Sequence, residues 1–144
     1  MEVKNITIAI GNQKGGVGKT TSTACIGAAL ALRGKRVLLV DLDAQQNLTF
    51  TLTQNEDPET SIYDTLVKDQ PLPIVPIREN LDLVPASLDL ARAEIDMATM
   101  MAREGILKSC LDEQKEKYDY ILMDCSPSLG IVTTNALVAA DKLY

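Results

Sequence analysis

Residues 12–21 read NQKGGVGKTT and follow the apolar run Ile6–Ile10. The glycines in this stretch allow backbone conformations and close approaches to a ligand that a Cβ would block. The end of the stretch, GKT at 18–20, fits the phosphate-loop pattern G-x-x-x-x-G-K-[ST], whereas Gln13 stands where the first glycine of that pattern belongs. We therefore expect a strand, a loop that wraps phosphates and a helix in immediate succession.

Outside this stretch, short aliphatic and β-branched runs alternate with segments of helical character. This order is typical of an α/β fold with a mostly parallel, twisted sheet and helices on both faces. Gly34 is expected to end the first helix, whereas Thr60 or Ser61, and then Ser87, are expected to begin later ones. Three prolines between 71 and 76 predict an extended connector. Strands are expected at 6–10, 37–40, 81–84 and 120–123. Helices are expected at 19–32, 60–67, 88 to about 101 and 132–140, with a second helical stretch that follows the third helix and runs to 117.

The charge balance limits the classes of function. The chain of 144 residues carries 14 Lys and Arg against 20 Asp and Glu, a net charge of −6. This argues against nonspecific nucleic-acid binding by the chain as a whole, because counterion release needs clustered cations. The chain contains no histidine, which excludes His-based acid–base chemistry and His metal ligands. Only 3% of the residues are aromatic, so stacking platforms for single-stranded nucleic acid are not expected.

The three cysteines, Cys25, Cys110 and Cys125, form no close pair and indicate a reducing compartment. Cys125 is expected to be a buried, inert thiol, because the chain offers no histidine to activate it. The N-terminal residues lead into a strand without the apolar stretch of a signal peptide, and the longest apolar runs are far shorter than the roughly 20 residues that cross a bilayer. We therefore expect a soluble, cytoplasmic protein with no membrane partner.

Three expected strands end in polar or glycine-rich loops. These loops are residues 11–19, the segment that begins with Asp41 and Asp43, and the segment that begins with Asp124. In an open parallel sheet, ligands bind outside the carboxyl ends of the strands, so the three loops are expected to meet in one crevice. Backbone N–H groups and a lysine suit phosphates, and carboxylates beside phosphates suit a hydrated Mg²⁺.

Residues 12–21 also contain a second lysine, Lys14, and with it they resemble the deviant Walker A motif of the ParA/MinD superfamily of P-loop ATPases. They are more similar to the ParA-type partition ATPases than to MinD. Residues 40–49 (VDLDAQQNLT) resemble the ParA switch I pattern D-x-D-P-Q-x-N-x-T, with Ala44 in place of the proline. Residues 118–130 resemble the Walker B strand and switch II. The resemblance spans essentially the whole chain and implies a P-loop NTPase fold.

The resemblance implies a role for each motif residue. Lys14 is the signature lysine that reaches the partner's ATP across a dimer, and Asp43 positions or polarises the attacking water; these two are the expected catalytic residues. Asp41 supports the side of the site at which the metal ion binds. Thr20, Asp43 and Asp124 are expected to hold Mg²⁺ or its water shell. The residues expected to bind ATP are Lys14, Gly15, Gly16, Val17, Gly18, Lys19, Thr20 and Thr21.

By resemblance, the protein is expected to be an ATP-binding and hydrolysing dimerisation switch in plasmid or chromosome partitioning. Such a protein is an ATP-dependent homodimer that binds DNA nonspecifically, associates with the nucleoid, and has a weak Mg²⁺-dependent ATPase stimulated by a ParB-like centromere-binding protein. Because proteins of this type are considerably longer, residues 1–144 are expected to be the N-terminal part of a single P-loop ATPase domain, hence a truncated fold. The adenine-reading loop and the DNA-facing surface are then expected beyond Tyr144.

Other interpretations stay open at this point. A MinD-like positioning ATPase and an ATP-dependent metabolic ligase, such as the cobyrinic-acid amidases, belong to the same superfamily. GTP use is a weaker alternative, because the guanine-reading string Asn-Lys-x-Asp does not occur in the chain. Without the resemblance, Lys14 is an ordinary surface lysine. Asp41 and Asp43 have a solvated-loop interpretation as the alternative, but two carboxylates at the end of a buried strand favour a functional role.

The two lysines of the loop are expected to differ in function. Lys19→Ala should abolish ATP binding, because the phosphates lose their main cation, whereas Lys14→Ala should retain ATP binding and weaken ATP-dependent dimerisation or turnover. Calorimetry measures the first effect, and light scattering with an ATPase assay measures the second. Unchanged ATP affinity in Lys19→Ala would refute the phosphate site, and normal dimerisation and turnover in Lys14→Ala would refute its role in trans.

Overall fold

The computed structural model describes residues 5–11 and 19–144. Its strands are β1 (Ile6–Ile10), β2 (Val37–Leu42), β3 (Val75–Arg78), β4 (Leu81–Val84), β5 (Tyr120–Cys125) and β6 (Lys142–Leu143). Within this part of the chain they form one sheet in the order β3-β4-β2-β5-β1-β6. Neighbouring strands are parallel except for β3, which is antiparallel to β4. The expected α/β class with a mostly parallel sheet is confirmed.

Helices cover both faces of the sheet. They are α1 (Lys19–Leu32), α2 (Asn47–Thr53), α3 (Ile62–Lys68), α4 (Ala93–Asp96), α5 (Ile106–Asp112) and α6 (Ile131–Ala139), with 3₁₀ turns at Leu88–Arg92 and Arg103–Gly105. Within residues 5–11 and 19–144, no helix has both the length and the apolar character that a membrane crossing requires.

Two apolar cores lie on opposite sides of β2. Leu38 and Val40 belong to one core, together with side chains from α3, α5 and α6, whereas Val37 and Leu39 belong to the other, together with side chains from α1 and α2. Successive residues of a strand point to opposite faces, so this division follows from the strand geometry. All six residues of β2 are buried, as expected for the continuous apolar run of a central strand.

Strand β2 extends two residues beyond the expected 37–40 and therefore includes Asp41. Likewise, β5 continues past the expected 120–123 and includes Asp124. The two aspartates are register partners on adjacent parallel strands. Both carboxylates thus belong to strand ends inside the protein, and the expectation that they begin loops was wrong by one or two residues.

The helix expected at 88–101 is broken. The chain forms a 3₁₀ turn at Leu88–Arg92, the four-residue helix α4 and irregular turns, and Ala102 has a left-handed φ of 52°. Leu88 and Ile95 are 70% and 79% exposed, so half of the apolar pattern that predicted a regular helix does not face the core. A second helical stretch was expected to run to residue 117, but α5 ends at Asp112 and residues 113–117 form turns.

Two further elements were not predicted. Helix α2 occupies a segment in which the sequence predicts a polar loop up to Asn47 and no helix, and it buries Leu48 and Thr49. Strand β3 lies within the region expected to be an extended connector, and it pairs with β4 through an irregular register next to Pro76. A strand at the edge of a sheet tolerates proline, because its outer N–H groups have no partner strand.

The expected ends of the helices are largely confirmed. Ser61 begins α3 with a capping box in which its hydroxyl accepts from the Tyr63 N–H and the Asp64 carboxylate accepts from the Ser61 N–H. Gly34 follows α1 with a φ of 81°, a conformation that favours glycine. Ser87 does not cap the next segment as expected, because its hydroxyl is hydrogen-bonded to the Ser61 hydroxyl instead.

The left-handed conformation of Gly34 predicts that alanine destabilises the protein more at Gly34 than at Gly105. No atom lies within 4 Å of a Cβ built at Gly34 or at Gly105, but only Gly34 has a positive φ. Gly34→Ala should therefore lower the free energy of unfolding by about 1–2 kcal/mol, because a Cβ disfavours the left-handed conformation. Gly105→Ala should change it by less than about 0.5 kcal/mol. Urea unfolding measures both, and equal effects of the two variants would contradict the prediction.

Candidate functional site

The carboxyl ends of β1, β2 and β5 lie side by side, because β5 pairs with both other strands in parallel. Gly11 follows β1, Asp43 follows β2, and Asp124 is the fifth residue of β5. The strand order therefore brings Gly11, which precedes the expected phosphate loop, and the two carboxylate segments to one edge of the sheet. This is the edge at which open α/β sheets bind ligands.

Thr20 and Asp124 meet at this edge. The Thr20 hydroxyl, in the first turn of α1, donates a hydrogen bond to Oδ2 of Asp124 at 2.8 Å. Asp124 is fully buried, and 104 residues separate it from its donor. The contact joins the N-terminal turn of α1 to the end of β5, and so brings together two of the three residues expected on the magnesium side, Thr20, Asp43 and Asp124.

Asp41 is also fully buried, and three donors surround its carboxylate. Its Oδ2 accepts from the Thr49 hydroxyl at 2.7 Å and from the Thr49 N–H at 2.9 Å, and its Oδ1 accepts from the Asp43 N–H at 3.1 Å. Burial raises the pKa of Asp41 to about 6, the charge of Asp124 acts in the same direction, and the hydrogen bonds oppose the rise.

Asp43 lies just beyond β2 and is only 8% exposed. Its Oδ1 accepts from the Gln45 N–H at 3.0 Å, and its backbone carbonyl accepts from the Gln46 N–H at 2.9 Å. The residue is therefore held in a tight turn. Asp43 is connected to the buried Asp41 through its own N–H group, which donates to the Asp41 carboxylate.

Two polar residues near this turn were not assigned a role from the sequence. The Thr49 hydroxyl accepts from the Ala86 N–H at 2.9 Å, and the Gln46 amide donates to the Ala86 carbonyl at 3.2 Å. Gln46 and Thr49 are 6% and 0% exposed. Thr49 stands at the last position of the pattern D-x-D-P-Q-x-N-x-T, which was the only sequence signal for it, whereas Gln46 stands at an unspecified position and had no such signal.

The structure describes only some of the other residues for which the sequence predicts a role. Lys14, Gly15, Gly16, Val17 and Gly18 lie outside the described residues, as does the side chain of Lys19, the first residue of α1. Thr21 follows Thr20 in α1 and is exposed. Cys125 is buried next to Asp124, as expected, and its thiol faces the Met123 carbonyl at 3.8 Å.

The oxygen donors at this edge fit a hydrated magnesium ion. The hydroxyl of Thr20 and the carboxylate of Asp124 are adjacent, and Mg²⁺ in nucleotide sites takes one or two carboxylates, waters and phosphate oxygens. Among the described residues, no group of three or more Cys, Asp or Glu is arranged to hold a metal by itself. The adjacent Thr20 hydroxyl and Asp124 carboxylate suit an ion whose other ligands are waters and phosphate oxygens.

Comparison with known proteins matches residues 5–144 to the AAA domain family (AAA_31). The chain is 51% identical over 140 residues to the sporulation initiation inhibitor protein Soj of Bacillus subtilis, covering 94% of this chain and 55% of that protein. It is 44% identical to the chromosome-partitioning ATPase Soj of Treponema pallidum, covering 96% and 55%. The chain thus spans about half the length of these curated relatives.

Solved structures show the same fold. A cobyrinic acid a,c-diamide synthase from Mycobacterium smegmatis with a bound ATP analogue and magnesium superposes with a TM-score of 0.92 at 43% identity, covering 96% of this chain and 58% of that one. A plasmid partition protein from Borrelia burgdorferi B31 bound to AMPPNP superposes with a TM-score of 0.86 at 32% identity, covering 97% and 61%. The expected P-loop NTPase architecture, on a chain shorter than its homologues, is confirmed.

The raised pKa of Asp41 predicts a pH dependence of stability. Because the folded state holds the Asp41 proton up to about pH 6 and the unfolded state releases it near 3.8, stability falls as the pH rises between these values. Relative to Asp41→Asn, the wild type should lose up to about 3 kcal/mol between pH 4 and pH 7.

Urea unfolding of both proteins across this pH range, without nucleotide or Mg²⁺, measures the difference. Asp57→Asn, at an exposed position beside α2, serves as the control. A constant difference between wild type and Asp41→Asn at all pH values would contradict the prediction.

Proposed function

The chain belongs to the AAA domain family, and from this premise we propose that it is an ATP-dependent dimerisation switch of the ParA type, acting in plasmid or chromosome partitioning. The single observation that carries the proposal is the hydrogen bond from Thr20 to Asp124. It joins the end of the deviant Walker A motif to the expected Walker B aspartate. Relatives named for chromosome partitioning, the Soj protein of Treponema pallidum and the ParA protein of Myxococcus xanthus, support the assignment.

ATP and Mg²⁺ are the proposed cofactors, as in the solved relative that contains an ATP analogue and magnesium. Bound Mg²⁺ supplies positive charge that offsets the charge developing on the transferred phosphoryl group. In this chain, Thr20, Asp43 and Asp124 would hold the ion or its water shell. Backbone N–H groups of residues 15–18, with Lys19, bind the phosphates.

Asp43 is the proposed residue that orients the attacking water. Its carboxylate follows β2 at the ligand-binding edge, and the turn around it is fixed by hydrogen bonds at both backbone groups. A water held by this carboxylate can be aligned with the γ-phosphate, and alignment is the main protein contribution in phosphoryl transfer. Lys14 reaches the nucleotide of a second subunit, so that dimerisation and hydrolysis are coupled.

The proposed partners are a second copy of the protein, a ParB-like centromere-binding protein and nonspecific DNA. All three follow from the family resemblance, as does a cytoplasmic, nucleoid-associated location. The ATPase is proposed to be weak alone and stimulated by the ParB-like partner. Residues 1–144 are proposed to be one part of a single P-loop ATPase domain, in line with their coverage of about half of the relatives.

A metabolic ATP-dependent amidase is the second candidate. The specific observation in its favour is the solved structure titled as a cobyrinic acid a,c-diamide synthase, at 43% identity. The relatives at 44% to 51% identity that carry the names Soj and ParA favour partitioning instead. We therefore keep partitioning as the main proposal.

An ATPase assay on the full-length protein tests this proposal. Slow Mg²⁺-dependent hydrolysis should rise when DNA and the ParB-like protein are added, and Asp43→Ala should lower the rate about 10²-fold or more while ATP binding persists. Asp57→Ala, an exposed carboxylate, is the matched control. Glutamine-dependent amidation of cobyrinic acid, without any response to DNA or the ParB-like protein, would favour the second candidate and overturn the first.

A further inference from the structure

Ala86 follows β4, and both its N–H and its carbonyl form hydrogen bonds with residues of the 43–49 segment. Its N–H donates to the Thr49 hydroxyl at 2.9 Å, and its carbonyl accepts from the Gln46 amide at 3.2 Å. Ala86 itself is fully buried. We call this arrangement of Gln46, Thr49 and Ala86 the Ala86 clamp.

Hydrogen bonds connect the clamp to the N–H and to the carbonyl of Asp43. On one side, Thr49 donates twice to Asp41, and Asp41 accepts from the Asp43 N–H. On the other side, the Gln46 N–H donates to the Asp43 carbonyl. Each of the two residues that contact Ala86 is therefore one or two hydrogen bonds away from Asp43.

The conformation of Gln46 shows that the clamp constrains the chain. Gln46 has a φ of 61°, a left-handed conformation that is uncommon for residues other than glycine. Such a conformation persists where surrounding contacts over-determine it. Here the contacts are two hydrogen bonds from the buried Gln46 amide, to the carbonyls of Ala86 and Glu56.

The Ala86 side of the clamp is also anchored. The Pro85 carbonyl accepts from the Ile62 N–H at 2.9 Å, and the Ser87 hydroxyl is 2.9 Å from the Ser61 hydroxyl. Residues 85–87 are thus tied to the start of α3 as well as to the end of β4. The 43–49 turn is therefore hydrogen-bonded to a segment that is itself tied to α3.

From this geometry we propose that Thr49 and Gln46 are positioning residues, which hold Asp43 in place by fixing its turn to Ala86. The inference rests on the proposed role of Asp43 in orienting the attacking water. A displacement of about 1 Å at a reacting group can cost about 10²-fold in rate. The residues proposed to bind the ATP phosphates, 15–19, lie outside this turn. Loss of the clamp should therefore lower kcat and spare ATP affinity.

Substitutions at Thr49 in the full-length protein test the proposal. Thr49→Val keeps the shape of the side chain and removes both hydroxyl hydrogen bonds, whereas Thr49→Ser keeps the hydroxyl. Thr51→Val, on the exposed face of the same helix, is the control. We expect Thr49→Val to lower kcat about 10-fold to 100-fold with an ATP Kd within about twofold of wild type, and Thr49→Ser to restore most of the rate.

A double variant separates positioning from a general loss of structure. In an Asp43→Ala background, Thr49→Val should cause no further loss of kcat, because the clamp acts through Asp43. A full additional loss in that background, or a normal kcat in Thr49→Val alone, would overturn the proposal.

Hydrogen–deuterium exchange tests the clamp without any ATPase activity. The amides of residues 43–49 and of Ala86 should exchange faster in Thr49→Val than in Thr51→Val, and unchanged exchange would overturn the clamp. A wild-type protein that does not hydrolyse ATP would refute the proposed function, and the exchange comparison would still decide whether the clamp exists.

Discussion

A carboxylate that is buried at the end of a central strand has to receive hydrogen bonds from the protein, because water no longer solvates it. The Asp41 carboxylate receives them from Thr49 and from the Asp43 N–H. To supply these donors, the chain after β2 must turn back within eight residues and place Thr49 against the strand end. The location of α2 and the tight turn at Asp43 both follow from this one requirement.

The same requirement adds side-chain contacts at the ends of strands that already pair through their backbones. Thr20 donates to Asp124 at the end of β5, and Thr49 connects the end of β2 to the segment after β4. The ligand-binding edge is therefore cross-linked by side chains, in addition to the pairing of the strands. A site built on strand ends and supported by buried hydrogen bonds is more precise than a site built on loops alone.

The sequence predicted the central strands well, because a parallel strand buried on both faces is a continuous apolar run. It also located Asp41 and Asp124, since a carboxylate directly after such a run is unusual. It did not predict α2, which contains three threonines of weak helix propensity and forms where Leu48 and Thr49 are buried. Nor did it assign Gln46 and Thr49, because only the folded chain shows that Ala86, about 40 residues later, lies between them.

Strand β3 has a consequence for how the protein behaves at high concentration. It is only four residues long, it forms one edge of the sheet, and it contains a proline and an irregular register. An edge strand with unpaired N–H groups is a template on which another chain can add a strand. Pro76 has no N–H group to offer, and the irregular register interrupts the row of backbone groups. This end of the sheet is therefore protected against edge-to-edge aggregation.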